Sequence, residues 1–266
     1  MTTYKKTKFN FDIIFNTENL GFGKAINHAV KSFNSGFLLL VNPDVILNKN
    51  TIKLLIEHAN ENSKQGVWGV ITLNESLKQD YRHAWREPTL LRTFCWSFYL
   101  SKFISNNTTL DNYKNVKLIN ATPYPVDSVS GCCMLISHQA WTKTSGFDEI
   151  FFLYSEELDF CKRARVAGFQ PTVVPKATLQ HAISHTADNR QRLETLFNSK
   201  FLYAQKHHHL IYVFMFRLII ASGALVRGLL FFITRRQKNS LSWFAIACNA
   251  LKKTTVIKQN NYSAVI

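Results

Sequence analysis

The sequence predicts an α/β fold with a mostly parallel sheet, followed by a basic, apolar helical region. Three observations lead there. Short apolar runs alternate with stretches of helical periodicity from Phe11 to Ile71. The run Phe37 to Val41 (FLLLV) has no polar position, as expected of a strand covered on both faces in a parallel sheet. The segment Leu210 to Ile233 is almost wholly apolar and sits in a stretch without acids.

Phe11 to Phe15 (FDIIF) reads as a strand and Asn16 to Gly21 as a turn. Phe22, Ala25, Ile26, Ala29, Val30 and Phe33 recur at helical spacing, and Ser35-Gly36 ends that helix. Pro43 stops the FLLLV strand. Ile52, Leu55, Ile56 and Ala59 mark an amphipathic helix, and Val67 to Ile71 the next strand. Asn74 to Pro125 is polar, then aromatic around Phe94 to Phe103, then Asn-rich, and reads as an insertion or lid. Val126 to Ile136 returns to strand character, and Gly146 to Glu149 is a turn. Ser155 is placed to cap a helix reaching Ala167, with Gly168 as its stop. Thr172 to Val174 is a brief strand between Pro171 and Pro175, and His181 and His185 follow in a polar loop.

Composition bounds the partners. The chain has 266 residues, 46% of them hydrophobic, 13% aromatic and only 18% charged, which excludes a disordered chain. The net charge is +15, and it is concentrated. Lys200, Lys206, Arg217, Arg227, Arg235, Arg236, Lys238, Lys252, Lys253 and Lys258 occur from residue 200 onward without any Asp or Glu. Such a tail fits an anionic membrane surface. No nucleic-acid motif accompanies the charge, so no nucleic-acid partner is expected. Each Arg near a bilayer centre costs roughly 2.5–3.5 kcal/mol, which favours an interfacial helix at 210–233 over a spanning one. A buried helix packed on the preceding domain is the alternative. The five cysteines form no CxxC pair and read as reduced thiols. The opening MTTYKKTKFNFD lacks the apolar stretch of a secretory signal.

Four groups of residues can carry chemistry. Asp44, in Asn42-Pro43-Asp44, ends a predicted strand where ligands of α/β folds bind, and one carboxylate with substrate phosphates is a usual way to hold Mg²⁺. A plain turn explains the same residues. Asn19-Leu20-Gly21-Phe22-Gly23 precedes a helix whose N-terminus favours an anion, or simply needs glycines to turn. Glu156, Glu157 and Asp159 occupy the first turn of a helix, where acids meet the macrodipole favourably. There a carboxylate can also act as a general base, its pKa raised by Phe151, Phe152 and Tyr154 nearby. His181 is a candidate second ligand beside Asp44. His207-His208-His209 is a weaker metal candidate and more simply the entry to the apolar helix.

Taken in order, NLGFGKAIN, NPDV, VDSVSGCCMLI, GFDEIFFLYSEELDFCKRARVAGF and VVPKATLQH resemble the family 2 glycosyltransferases, in their bacterial rhamnosyltransferase-like branch of cell-surface polysaccharide (O-antigen) synthesis. The resemblance covers about residues 10 to 185. It implies a GT-A-like, Rossmann-like fold and an inverting transfer from a nucleotide-sugar donor, dTDP-rhamnose among the candidates, to a glycan or lipid-linked acceptor. It implies donor contacts at Asn19, Gly21, Asn27, Asn42 and Asp44, and acceptor-side contacts at Gly131 and Tyr154. A divalent cation, Mg²⁺ or Mn²⁺, would sit at Asp44 and His181. Glu157 would be the catalytic base, supported by Glu156 and Asp159. Asn42 stands where the family's metal motif usually opens with Asp. The resemblance also implies an opening strand, helix and strand ahead of Asn19, so the expected catalytic domain, residues 1–195, is N-terminally incomplete. Residues 196–266 form the expected membrane-associating region, with the protein peripheral on the inner face of the plasma membrane. An inactive remnant acting as a membrane-associated binding protein is the alternative.

Overall fold

A computed structural model describes residues 12–100, 122–181 and 189–252. His185 and most of the Asn-rich stretch lie outside the described residues. The elements in chain order are α1 (Phe22–Ala29), β1 (Phe37–Val41), β2 (Val45–Leu47), α2 (Thr51–Glu61), β3 (Val67–Leu73), β4 (Gln79–Asp80), β5 (Ala84–Trp85), α3 (Leu90–Ser97), β6 (Tyr124–Pro125), β7 (Ser128–Val129), β8 (Cys133–Ser137), α4 (His138–Thr144), α5 (Glu156–Val166), β9 (Thr172–His181), α6 (Asn189–His207), α7 (Leu210–Ile233) and α8 (Gln237–Ala250).

The main sheet runs β1-β8-β3-β9-β2, with β4 on β3 and β6 on β9. The α/β class holds, but the sheet is mixed rather than mostly parallel. β3 and β9 pair in parallel, while β1 with β8, β3 with β8 and β2 with β9 are antiparallel. The strand buried on both faces is β3, where all seven residues are buried. β1 was expected in that role. It lies at the sheet edge with Val41 exposed, because only β8 pairs with it among the described residues.

Three further expectations are corrected. Residues 12–15 form no ladder and are exposed, with Phe15 at 86%. The expected strand Val126 to Ile136 is two strands, β7 and β8, separated by a turn around Gly131. β9 runs ten residues, through Pro175 and as far as His181. Its register against β3 shifts between Val70 and Ile71, next to the proline that cannot donate to the ladder. Thus His181 ends a strand rather than lying in a loop.

Two apolar clusters sandwich the sheet. Leu40, Ile71, Met134, Phe147 and Phe160 pack one face; Leu55, Trp68, Leu135 and Leu179 pack the other. A third core lies among the helices, where Phe197 and Phe201 of α6 meet Phe216 and Ile220 of α7 and Trp243 and Ile246 of α8. α3 packs on α7 in the same layer. α6 also turns Leu202 and Tyr203 toward Phe151 and Leu158 at the start of α5. The expected division at 195/196 therefore falls inside a helix that serves both cores.

α7 has the bounds read from the sequence, and it is long and apolar enough to cross a membrane by length and composition. Neither arginine on it faces outward alone. Arg217 donates to the carbonyls of Ala250 and Lys252 at the end of α8. Arg227 is buried against α3 and donates to the carbonyls of Trp96 and Ser97. The lipid cost assigned to them from sequence does not apply, because protein carbonyls solvate both. The opposite face keeps Leu210, Phe214, Leu225, Leu229 and Phe232 exposed.

Candidate active site

The site lies where β1, β8, β9 and the start of α5 converge. Asp44 follows β1, and His181 ends β9. The β2–β9 register puts Val45 opposite His181, so residues 137 apart in sequence come together. His181 Nε2 lies 3.2 Å from Asp44 Oδ2. The Asp44 side chain is 48% exposed and that of His181 18%. A half-exposed hard oxygen beside an imidazole suits a divalent cation that draws its other ligands from solvent and a phosphate-bearing substrate. No group of three or more His, Cys, Asp or Glu side chains forms a protein-only metal cage among the described residues. His207-His208-His209 is otherwise engaged. His207 bonds Asp159, His208 stacks on Tyr212, and His209 caps α7.

Asn42 ties the Asp44 corner to the turn at Gly131. Its backbone N–H donates to the Cys132 carbonyl at 2.9 Å. The adjacent Gly131 leaves room: a Cβ there would stand 3.8 Å from Glu157 Cβ and from the Phe22 ring. The Asn19–Gly23 loop reaches the same place. Asn19 Oδ1 accepts from the Gly21 N–H, and the Phe22 N–H donates to the Phe152 carbonyl at 2.9 Å. Gly21 has φ +76°, and a Cβ on it would stand 2.2 Å from the Phe152 oxygen, so only glycine fits. The Asn27 side chain is engaged by the GFDE turn. Its amide exchanges bonds with the Phe147 backbone and donates to Glu149, clasping the GFDE turn to α1.

α5 begins abruptly. Tyr154 and Ser155 both have positive φ, 69° and 67°. Such non-glycine conformations cost about 1–3 kcal/mol each and persist only where the surroundings impose them. Ser155 stands at the N-cap position but makes no side-chain cap bond, against expectation. The surroundings that impose the loop are Phe151 and Phe152, both buried, and Ser199 of α6, whose hydroxyl donates to the Leu153 carbonyl at 2.7 Å.

The first turn of α5 then presents three acids in two environments. Glu156 is 5% exposed, and its Oε2 is buried without a hydrogen-bond partner. Burial, with the neighbouring Glu157 charge, raises its pKa well above the carboxylate range. Glu157 is half-buried beside Gly131, and burial lifts it to about 7. Burial raises both neighbouring carboxyls, so the pair holds a proton to higher pH than free carboxylates do. Asp159 behaves oppositely. Burial alone would raise it, but His207, Lys206 and Arg163 hold it down at about 2. His207 Nε2 and Lys206 Nζ lie 2.7 and 2.6 Å from Oδ1, and Arg163 2.7 Å from Oδ2. With both oxygens taken, Asp159 fixes α5 to α6 instead of reaching a reacting group.

Residues 1–142 match the family described as Glycosyl transferase family 2. The chain belongs to that family. Its α/β fold is the GT-A-like one. It is 26% identical over 203 residues to the N-acetylglucosaminyl-diphospho-decaprenol L-rhamnosyltransferase of Mycobacterium tuberculosis H37Rv, covering 71% of this chain and 65% of that protein. It is 26% identical over 185 residues to Rhamnosyltransferase WbbL of Escherichia coli K12, covering 66% of each. The chain thus spans about two thirds of the length of these relatives. Among solved structures, GalNAc-T7 with UDP, GalNAc and Mn²⁺ aligns with a TM-score of 0.47 and 12% identity, over 71% of this chain and 35% of that one.

In this family 2 chain, sequence reading missed a second ionic cluster behind α5. Glu87 accepts from Lys162, from Arg165 at 3.0 Å and from the Tyr203 hydroxyl at 3.1 Å. Burial would raise Glu87, but Lys162 and Arg165 hold it at about 2. A signal was available. Lys162 and Arg165 sit three apart on one face of α5, and a basic pair so placed calls for an acid from elsewhere.

Proposed function

We propose that the chain transfers a sugar, rhamnose by similarity to its relatives, from a nucleotide-sugar donor to a lipid-linked glycan acceptor at the inner face of the plasma membrane. The observation that carries this is one juxtaposition. The Asp44–His181 pair and Glu157 flank the turn at Gly131. In this reading Asp44 and His181 hold a divalent cation, Mg²⁺ or Mn²⁺, which when bound supplies positive charge to the leaving diphosphate. The acceptor is held beside Gly131 and Tyr154. Its hydroxyl oxygen forms the new bond to the anomeric carbon, the bond from that carbon to the diphosphate oxygen breaks, and Glu157 takes the hydroxyl proton. One displacement inverts the anomeric centre. Burial of the Glu156–Glu157 pair moves its titration up toward neutral pH, where a base is most effective. Asn19 and Gly21 lie on the donor side of the same loop. The exposed apolar face of α7 with Arg235, Arg236 and Lys238 after it supports the membrane placement.

The test is Glu157→Gln, assayed for transfer to a polyprenyl-diphosphate-linked acceptor and for binding of dTDP and UDP with Mg²⁺. Transfer should fall about 10²–10⁴-fold while nucleotide binding persists. A fully active variant removes Glu157 as the base. A second reading, a membrane-bound binding protein without turnover, is favoured by the unpaired edge of β1 among the described residues. Absence of saturable nucleotide binding by the unaltered chain would select it.

A further inference from the structure

Behind the catalytic loop, where α3, α6, α7 and α8 meet, two cations share an aromatic cluster. Arg227 lies with its guanidinium carbon 4.1 Å from the Trp96 ring, 4.0 Å from Tyr99 and 4.8 Å from Trp243. Lys200 Nζ stands 5.0 Å from the same Trp96 ring and 5.5 Å from Phe197. Neither has a carboxylate partner among the described residues. Arg227 is accounted for in part, since its donation to Trp96 and Ser97 caps the end of α3. Lys200 has no such use: among the described residues it makes ring contacts and no hydrogen bond.

A third donor stands in the same place. Ser97 is 1% exposed, and its hydroxyl is buried without a partner. Gly223 of α7 gives it its room, because a Cβ there would lie 2.4 Å from Ser97 Cβ. Among the described residues no carboxylate joins the buried Arg227, the part-exposed Lys200 and the unpartnered Ser97 hydroxyl, so an anion arriving at Lys200 would meet uncompensated positive charge. Burial and the Arg227 charge together depress Lys200 to about 8, consistent with positive charge left uncompensated.

The surroundings say what kind of anion. Trp96 is 37% exposed, so the cluster opens outward there. Leu225 and Leu229 of α7 and Leu91 and Phe94 of α3 are exposed apolar side chains on the same two helices. On the other side, Lys200 follows Ser199, which holds the Leu153 carbonyl of the catalytic loop. We infer that Lys200, Arg227 and Ser97 bind the phosphate-bearing head group of a lipid acceptor, with its apolar chain along the exposed face of α7. This rests on the proposed lipid-linked acceptor and deepens it.

The test titrates the full chain in detergent with farnesyl diphosphate, farnesol and inorganic pyrophosphate by calorimetry. Tryptophan fluorescence is a second readout, because Trp96 and Trp243 flank Arg227. Farnesyl diphosphate should bind at least about tenfold more tightly than either other probe, and Lys200→Gln should weaken it about tenfold while Lys200→Arg restores it. Equal binding of farnesol, or no effect of Lys200→Gln, overturns the inference. Equal binding of pyrophosphate overturns the lipid source. Vesicles of phosphatidylglycerol that displace farnesyl diphosphate would overturn selectivity for an acceptor head group over bulk lipid. Arg227→Gln removes a helix cap and is read only after circular dichroism shows it folded; Lys200→Gln carries the test. Nucleotide binding at Asp44 is measured on the same samples. Lys200-dependent lipid binding without sugar transfer would sink the proposed function and leave this subsite standing.

Discussion

Two sets of acids around helix α5 lie in opposite states. Glu157 stands beside the Gly131 turn, neither it nor Glu156 has a cation bonded to it among the described residues, and burial pushes both up in pKa. Asp159, on the same helix turn, and Glu87, behind the helix, are also buried, yet five basic groups hold them near 2. Burial is common to all four, so it does not decide the state. The presence of a paired cation does. The uncompensated set therefore suits the proposed proton transfer, and the paired set holds helices together.

The sharpest way to break this comparison is Glu157→Gln. Turnover should fall about 10²–10⁴-fold with stability little changed, as for loss of a general base. Next is Asp159→Asn, which leaves Lys206, Arg163 and His207 around a neutral amide. Breaking a buried pair of this kind costs about 3–5 kcal/mol, read as a lowered midpoint in urea. A stable variant without turnover would reverse the division between the two sets.

The pH dependence tests both sets at once. The base must be ionised, so kcat/KM should fall about tenfold per unit as pH drops below about 7. Stability has the opposite signs in the two sets. Glu157 has a raised pKa, so its contribution is present below about 4.5 and is lost as pH rises through about 7. Asp159 and Glu87 have lowered pKa values. Their contributions are present above the ordinary carboxylate range and are lost as pH falls toward about 2. The smallest effect is expected from Ser199→Ala. Losing its bond to Leu153 should cost about 1 kcal/mol and loosen the Tyr154–Ser155 turn, lowering kcat more than it changes KM.

Much of this was legible in the chain. FLLLV and Leu210–Ile233 gave their element bounds directly, because uninterrupted apolar runs leave little choice of ends. Pro175 misled, since proline normally ends a strand; here a register shift accommodates it and β9 continues to His181. Gly131 hid a turn inside an apolar run that reads as one strand. β1 looked internal because both its faces are apolar, and periodicity says nothing about which edge is paired. At the site, Asp44, Glu157 and His181 were nominated by motif order, whereas the meeting of Asp44 with His181 depends on the β2–β9 register, which no local pattern encodes. Asn27 is polar and sits in a motif, but its amide clasps a turn. The Glu87 cluster joins residues 75 to 116 apart and was invisible for that reason.

α6 belongs to two cores. It gives Phe197 and Phe201 to the helical layer, and Leu202, Tyr203 and Ser199 to the catalytic region. The consequence concerns cooperativity. Neither part can melt without stripping a face of the same helix, so heating should give one calorimetric transition for the described fold rather than two. A chain cut after residue 195 would not be a smaller enzyme, because it would leave Phe151 and Leu158 without their cover.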